Sequence, residues 1–124
     1  MKFKSRVVEK AVVISISGDI ISLYDSKELI ETVEKALQEN NRNIVFDLDK
    51  VNYINSAGIN VLITVLTSVR NRGGELVLSS ISDKVKSLLI ITKLNSIFNV
   101  KDSVEESLLF VDELEMLSDQ SENK

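Results

Sequence analysis

Apolar residues recur with two different periods along this chain. Between residues 12 and 17 they alternate with other side chains, which is typical of a strand with one buried face. Between Asp25 and the Asn40-Asn41 pair they recur every three or four positions, which predicts a helix with one apolar side. That side would consist of Leu29, Ile30, Val33, Ala36 and Leu37.

Similar patterns extend the prediction to strands and helices in the order β-β-α-β-α-β-α-β-α. An edge strand is expected at Phe3–Glu9, followed by a turn at Lys10-Ala11, and a central strand buried on both faces is expected at Asn43–Asp49. Further short strands are expected at Glu75–Ser79 and near Val100. This order predicts a single α/β domain, in which a small mixed sheet of about five strands carries about four helices.

The predicted helices begin at residues that favour the N-cap position. Asp25 and Ser103 each precede a glutamate by three positions, which is the capping-box spacing. Ser56 and Ser82 are serines placed directly before apolar helical patterns, so each is predicted to cap a helix. Gly73-Gly74 is expected to end the helix that begins at Ser56.

The C-terminal part of the chain differs from the rest in charge. The last helix is predicted to run through about Val111 and on toward Leu117, with Gln120–Lys124 frayed. Residues 102–124 hold eight acids and one base, so their net charge is −7, while residues 1–101 carry +3. We therefore expect one domain over residues 1–111 and an acidic helix extension and tail over residues 112–124.

The helix from Ser56 to about Arg72 is unusual because no charged residue occurs in it before Arg70. A solvated helix face normally carries lysine and glutamate. One explanation is a helix buried on both sides, and the other is an uncharged surface for a protein partner, since the cores of interfaces are depleted in charge. Periodicity alone favours the buried helix. Its inward positions would be Gly58, Leu62, Val65, Leu66 and Val69, and the remaining ones include Asn60, Thr64, Thr67 and Ser68.

Composition limits the chemistry of this chain. Its 124 residues include no histidine and no cysteine, which excludes imidazole bases, thiolate nucleophiles, zinc fingers and disulfides. No cofactor or metal site is predicted. The uncharged stretch Val51–Val69 contains too many polar side chains for a membrane span. The sequence has no basic stripe, so nucleic-acid binding is not expected. We expect a soluble, non-enzymatic, cytoplasmic protein whose aromatic residues, Tyr24 and Tyr53 among them, mostly lie in the core.

Ser56 has two interpretations. Capping alone accounts for a serine at the start of a helix. A serine exposed at that position can also be phosphorylated, because the N–H groups and the positive end of the helix dipole tolerate a phosphate. From the residues alone, capping is the favoured explanation.

The segment Asp47–Ile59 resembles the signature of the STAS domain family, in its subgroup of bacterial anti-sigma factor antagonists. In that signature a buried strand ends in Asp-Leu, and a connector leads to Asp-Ser-(Ser/Thr/Ala)-Gly, whose serine stands at the start of a helix; this chain has Asn55-Ser56-Ala57-Gly58. The likeness extends from about Val7 to Val111 and includes Gly18, Gly73–Leu78, Thr92–Phe98 and Ser103–Leu108.

The resemblance implies a non-enzymatic switch protein. In such proteins a serine kinase that is also an anti-sigma factor phosphorylates the serine at the helix start, and a metal-dependent serine phosphatase removes the phosphate. The unphosphorylated form binds the kinase and so releases the sigma factor. Carried over by motif, the acceptor is Ser56. The residues expected to bind the partner are Asn55, Ala57, Gly58, Asn60, Thr64, Asp19 and Asp25.

Four positions depart from the family pattern. Asn55 stands where the family usually has aspartate, and Ala57 stands where a second serine or threonine is common. Ile21 takes the place of an aspartate in the loop before the first helix, and Lys93 replaces a glycine. An alternative hypothesis is therefore an adaptor subunit of a transport or sensory complex that acts without phosphorylation. A hydrolase with Ser56 as nucleophile is disfavoured, because Ile54 occupies the first glycine position of G-x-S-x-G and no histidine is present.

Overall fold

The computed structural model describes residues 1–9 and 11–122, with side chains described as far as residue 117. One five-stranded sheet carries helices on both faces, so the predicted α/β class with a small mixed sheet is confirmed. The strands are β1 (Lys2–Val8), β2 (Ala11–Ser17), β3 (Asn43–Lys50), β4 (Leu76–Ser79) and β5 (Asn99–Lys101). The helices are α1 (Lys27–Gln38), α2 (Ser56–Asn71), α3 (Asp83–Ile91) and α4 (Val104–Glu122).

The strands lie in the sheet in their chain order. β1 and β2 form an antiparallel pair, while β2, β3, β4 and β5 run parallel to one another. Each parallel step needs a crossover, which α1, α2 and α3 provide. Because parallel strands end at the same edge of a sheet, the loop after β2 and the connector after β3 come to lie side by side.

The central strand β3 is buried on both faces, as its continuous apolar run predicts. Ile44 and Phe46 belong to the main core, which the sheet forms with α1, α2 and α3. Val45 points to the opposite face, where a smaller cluster forms with Val111 of α4. Three crossover helices therefore cover one face of the sheet, and α4 covers part of the other.

The structure corrects the predicted start of the first helix. Asp25 does not cap it; Ser26 occupies the N-cap position, with no side-chain bond to the first turn. Asp25 instead donates its backbone N–H to the hydroxyl of Ser22 at 2.9 Å. The preceding residues already form a turn, in which the Ser26 N–H donates to the carbonyl of Leu23 at 3.2 Å. That turn moves the helix start one residue beyond the capping-box prediction.

Two of the predicted serine caps are present. The hydroxyls of Ser82 and Ser103 accept hydrogen bonds from the backbone N–H groups of Val85 at 3.2 Å and Glu106 at 3.1 Å. The predicted turn at Lys10-Ala11 differs from the structure, since Ala11 is already the first residue of β2 and Lys10 lies outside the described residues.

Helix α4 is longer than predicted. Residues 120–122, expected to be frayed, are helical, and residues 123–124 lie outside the described part. Glu115 attaches this helix to the start of β3, because its carboxylate accepts from the Arg42 guanidinium at 2.8 and 2.9 Å and from the Asn43 amide at 2.6 Å. Among the described residues, no helix has the length and apolarity needed to cross a bilayer.

Candidate functional site

The start of α2 is held against the loop that follows β2. A short parallel bridge joins Ile20 of that loop to Ile54 of the connector after β3. On either side of it, the Ile20 N–H donates to the Tyr53 carbonyl at 3.1 Å, and the Asn55 N–H donates to the Ile20 carbonyl at 3.4 Å. Main-chain bonds therefore set the position of the first turn of α2.

Asn55, rather than Ser56, caps α2. Its side-chain oxygen accepts from the Gly58 N–H at 2.8 Å, and its amide nitrogen donates to the carbonyl of Ile21 at 3.1 Å. The predicted cap at Ser56 is thus wrong by one residue, because the extended backbone of Asn55 puts its side chain at the orphan N–H groups. The Asn55 side chain thus uses both its oxygen and its nitrogen, whereas an aspartate at this position would have no N–H to donate to the Ile21 carbonyl.

Gly58 makes the close approach of α2 to the loop possible. A Cβ atom at this position would lie 1.9 Å from the carbonyl oxygen of Ile20 and 2.6 Å from the Cγ2 atom of Ile54. One neighbour is backbone and cannot rotate away. The glycine of the motif therefore serves packing beneath the helix start, and it is buried rather than presented to a partner.

Ser56 is the first residue of α2 and is exposed. Within the described part of the chain, its hydroxyl has no hydrogen-bond partner. No acidic residue occurs in the first turn of α2, where the positive end of the helix dipole lies. The hydroxyl is thus accessible, unbonded and placed where added negative charge is tolerated.

The outward side of α2 is exposed and carries no charge before Arg70. Asn60, Thr64 and Thr67 are exposed, so the interpretation of a helix buried on both sides is wrong. The two threonine hydroxyls donate back to helix carbonyls, Thr64 to Asn60 at 2.8 Å and Thr67 to Ile63 at 2.9 Å. Because both hydroxyls are bonded within the helix and Ile63 is half-buried, the outward surface that begins at Ser56 is uncharged and only weakly polar.

The structure brings the predicted partner-binding residues together only in part. Asn55, Ala57, Asn60 and Thr64 share the first two to three turns of α2 with Ser56. Asp19 is exposed directly before Ile20 and so lies on the loop that contacts the connector. Asp25 is exposed further along that loop, and no hydrogen bond within the described residues joins it to the connector.

Several exposed apolar side chains near this site were not anticipated. Tyr53 is 54% exposed and Tyr24 is 88% exposed, although their apolar sequence contexts suggested the core. Tyr53 and Ile91 line a groove of about 420 Å³ between the connector and α3, together with Ile54, Val85 and Leu88. The apolar pattern could not reveal these positions, because exposure there depends on how the connector and α3 are placed.

The described residues contain no cluster of three or more metal-ligating side chains. The candidate site consists of the unbonded Ser56 hydroxyl, the uncharged outer side of α2 and the adjacent apolar groove. These features can accept a modifying group and dock a protein surface.

Comparison with known proteins gives the family. A model of the STAS domain matches residues 2–107, and the chain belongs to this family. The chain is 24% identical over 105 residues to the anti-sigma-B factor antagonist of Staphylococcus aureus, with 85% of this chain and 96% of the relative aligned. The family expected from the motif around Ser56 is therefore confirmed.

Two solved structures share the fold. The phosphorylated form of SpoIIAA, a Bacillus cell fate determinant, superposes with a TM-score of 0.69 at 15% identity over 89% of this chain and 99% of its own. A sulfate transporter family protein from Wolinella succinogenes superposes with a TM-score of 0.75 at 20% identity over 88% and 90% of the two chains. The same fold thus occurs in a phosphorylated regulator and in a transporter family.

Proposed function

We propose that this protein is an anti-sigma factor antagonist that switches partners through phosphorylation of Ser56. The observation that carries the proposal is the exposed, unbonded Ser56 hydroxyl one residue beyond the Asn55 cap. The name of the Staphylococcus aureus relative supports the regulatory role. The substitution of Asn55 for the usual acid does not weaken the helix start, since the amide provides the capping oxygen.

The proposed switch follows from charge. A phosphate adds about 1.5 to 2 negative charges and three acceptor oxygens. On the uncharged face of α2, those charges would have to be desolvated on binding a partner that fits the unmodified surface. A loss of about 1.4 kcal/mol in binding free energy lowers affinity tenfold, so a modest penalty releases the partner.

The proposed partner is a serine kinase that also acts as an anti-sigma factor. It would contact Ala57, Asn60 and Thr64 on α2, with Asn55, Asp19 and Asp25 at the rim. Gly58 would act indirectly, by holding the helix start in place. The exposed Tyr53 and Ile91 in the neighbouring groove extend this surface with the aromatic and apolar contacts that commonly dominate binding energy.

The remaining parts of the proposal come from the family. A metal-dependent serine phosphatase would restore the unmodified form, and the protein itself would perform no catalysis. Its place would be the cytoplasm. The STAS domain would occupy residues 1–111, with residues 112–124 as an acidic extension, while the family model ends at residue 107.

Phosphate incorporation tests the proposal. The purified protein is incubated with ATP and a purified anti-sigma factor kinase, and intact mass and peptide mass spectrometry report the modified residue. Wild type should gain one phosphate at Ser56, and Ser56→Ala should gain none. Ser82→Ala is the matched control, because Ser82 also begins a helix but its hydroxyl is bonded to Val85, so this variant should be phosphorylated like wild type.

Binding to the same kinase completes the test. The unmodified protein should bind, and Ser56→Asp should bind more weakly by at least about tenfold, which corresponds to about 1.4 kcal/mol. Absence of phosphate at Ser56, together with equal binding by wild type and Ser56→Asp, would favour the alternative of a phosphorylation-independent adaptor, whose fold is shared with the Wolinella succinogenes protein.

A further inference from the structure

Helix α4 leaves large apolar side chains in solvent although its inner side is already packed. Val111 is buried against the sheet, with Val104, Leu108 and Phe110 packed around it. On the outer side, Leu109 is 63% exposed, and Met116 and Leu117 are each 60% exposed. Leu109 and Met116 are seven positions apart, so they lie on one side of the helix. We call Leu109, Met116 and Leu117 the α4 stripe.

Acidic residues surround the α4 stripe. From residue 102 to residue 117 the chain contains six acids and neither lysine nor arginine. Glu115 is engaged with Arg42 and Asn43, whereas Glu105, Glu106 and Glu113 are exposed. Two such helices would repel each other if they met only through these surfaces, since like charges in contact are unfavourable. The surface that covers the stripe should therefore be basic.

The same face of the molecule carries a basic surface. Lys2, Lys4 and Arg6 are paired in the sheet with Ser17, Ser15 and Val13, and Val13 belongs to the cluster beneath α4. Strand side chains alternate between faces, so these three cations share the face on which α4 lies. All three are exposed, and none forms an ion pair within the described part of the chain. We call Lys2, Lys4 and Arg6 the β1 row.

Helix α4 does not extend over the β1 row of its own chain. Its contacts with the sheet fall mainly on β3, β4 and β5, and the side chain of Ser15 on β2 remains exposed. β1 is moreover the outer strand of the sheet, and its other edge is unpaired within the described residues. The uncovered half of this face therefore carries the three cations of the β1 row, beside Asp47 and Asp49 of β3, and the helix over the other half is acidic and partly apolar.

We propose that this face pairs with the same face of a second copy. In a two-fold arrangement the α4 stripe and its acids on one copy lie over the β1 row of the other, and the reverse contact follows by symmetry. Both surfaces lie on one face of the molecule, so one axis satisfies both contacts at once. The pairing buries the exposed apolar side chains and neutralises unpaired charge. It leaves the start of α2, at the edge of the opposite core, outside the contact.

Sedimentation velocity on the full chain tests the pairing. The wild-type protein is measured from about 1 to 200 µM, a range that covers micromolar dissociation constants, in about 50 mM and 500 mM NaCl. A dimer should form, and its dissociation constant should rise at the higher salt concentration because the charges are screened. A single monomer boundary at every concentration and in both salts would overturn the proposal. The α4 stripe would then be left for a different, basic partner protein, and not for a second copy of this chain.

Charge reversal identifies the surfaces. Lys4→Glu/Arg6→Glu should weaken the dimer by about tenfold or more, and adding Asp112→Lys/Glu113→Lys should recover much of the loss. Lys84→Glu is the matched control, because Lys84 is an exposed lysine on α3, on the opposite face, and this variant should dimerise like wild type. Far-ultraviolet circular dichroism confirms that each variant is folded. A dimer that Lys4→Glu/Arg6→Glu leaves unchanged would refute this interface.

Discussion

Helices α2 and α3 pack on the same face of the sheet but secure their ends with different residues. α2 begins at the Asn55 cap and is followed by Gly73 at φ +79°, while α3 begins at the Ser82 cap and is followed by Lys93 at φ +62°. In α3 the serine hydroxyl is occupied by the cap. In α2 an asparagine caps, and Ser56 keeps an unbonded hydroxyl. The position of a serine relative to the cap therefore decides whether its hydroxyl is available for modification.

The two helices also differ in how firmly they are buried. Seven residues of α2 are buried, from Gly58 to Val69, whereas only Val85 and Leu89 are buried in α3. Buried area is the main stabilising term for a helix in a protein. α2 can thus present an exposed serine and an uncharged outer side without depending on either for its stability.

The largest effect is expected where α2 touches the loop after β2. Gly58→Ala would place a Cβ atom 1.9 Å from the Ile20 carbonyl oxygen, so the helix start or the loop must move. We expect a loss of about 3 kcal/mol in the free energy of unfolding, measured by urea denaturation. Gly73→Ala is the matched control, because nothing lies within 4 Å of its Cβ position. The only expected cost is the backbone strain of a side chain at positive φ, which should lower the free energy of unfolding by about 1 kcal/mol. Equal losses in the two variants would show that close packing at Gly58 is unimportant.

The caps provide the next largest effect and test the comparison directly. Asn55→Ala should lower the free energy of unfolding by about 1 to 2 kcal/mol, because the Gly58 N–H loses its acceptor. Ser56→Ala should change it by less than about 0.5 kcal/mol, whereas Ser82→Ala should lower it by about 1 kcal/mol. Urea denaturation measures all three. If Ser56→Ala were as destabilising as Ser82→Ala, Ser56 would have a structural role that its unbonded hydroxyl does not suggest.

A smaller effect of opposite sign is expected at the end of α3. The N–H of Leu94 donates to the Leu89 carbonyl at 2.8 Å, which matches the bond from Gly74 to Val69 after α2 at 3.1 Å. Both turns need a left-handed residue, and α3 uses Lys93. Lys93→Gly should raise the free energy of unfolding by about 0.5 to 1 kcal/mol. Lys93→Ala keeps the Cβ atom and should give no gain, and a gain of equal size there would point to charge instead of backbone strain.

The smallest effect is expected at the cap of α1. Ser26 is fully buried, and within the described residues its hydroxyl has no partner. Ser26→Ala removes a buried polar group that forms no bond, so the free energy of unfolding should stay within about 0.5 kcal/mol of wild type or rise. Thermal denaturation beside Ser82→Ala measures the contrast between an unused and a used serine. A loss matching that of Ser82→Ala would mean that Ser26 bonds to its helix.

Much of the fold could be predicted from local patterns, and the exceptions have physical causes. The apolar run of β3 and the helical spacing of α1 predicted their elements because burial follows these periods closely. The capping box at Asp25 failed because a turn stabilised by Ser22 and Leu23 competes for the same residues. The exposure of Tyr53 depends on contacts between segments distant in sequence, which a local pattern does not contain.

The candidate site likewise has features that the sequence predicts and features that it does not. Ser56, its glycine and the uncharged helix that follows are visible in the chain itself, and they suffice to indicate the family. The residue that caps the helix, the unbonded state of the Ser56 hydroxyl and the apolar groove beside it are not. The cap and the unbonded hydroxyl depend on the main-chain bridge between Ile20 and Ile54, and the groove depends on how the connector and α3 are placed.

The amino-acid sequence by itself determined the α/β class, the order of the elements, the candidate serine and the separation of acidic and basic segments. Each of these follows from composition and short-range periodicity, which act along the chain. Tertiary structure alone decided that Asn55 caps α2 and that Gly58 lies beneath a carbonyl of another loop. It also decided that α4 and the β1 row share one face. Those features depend on backbone approach and strand register between distant segments, and such contacts exist only when the chain is folded.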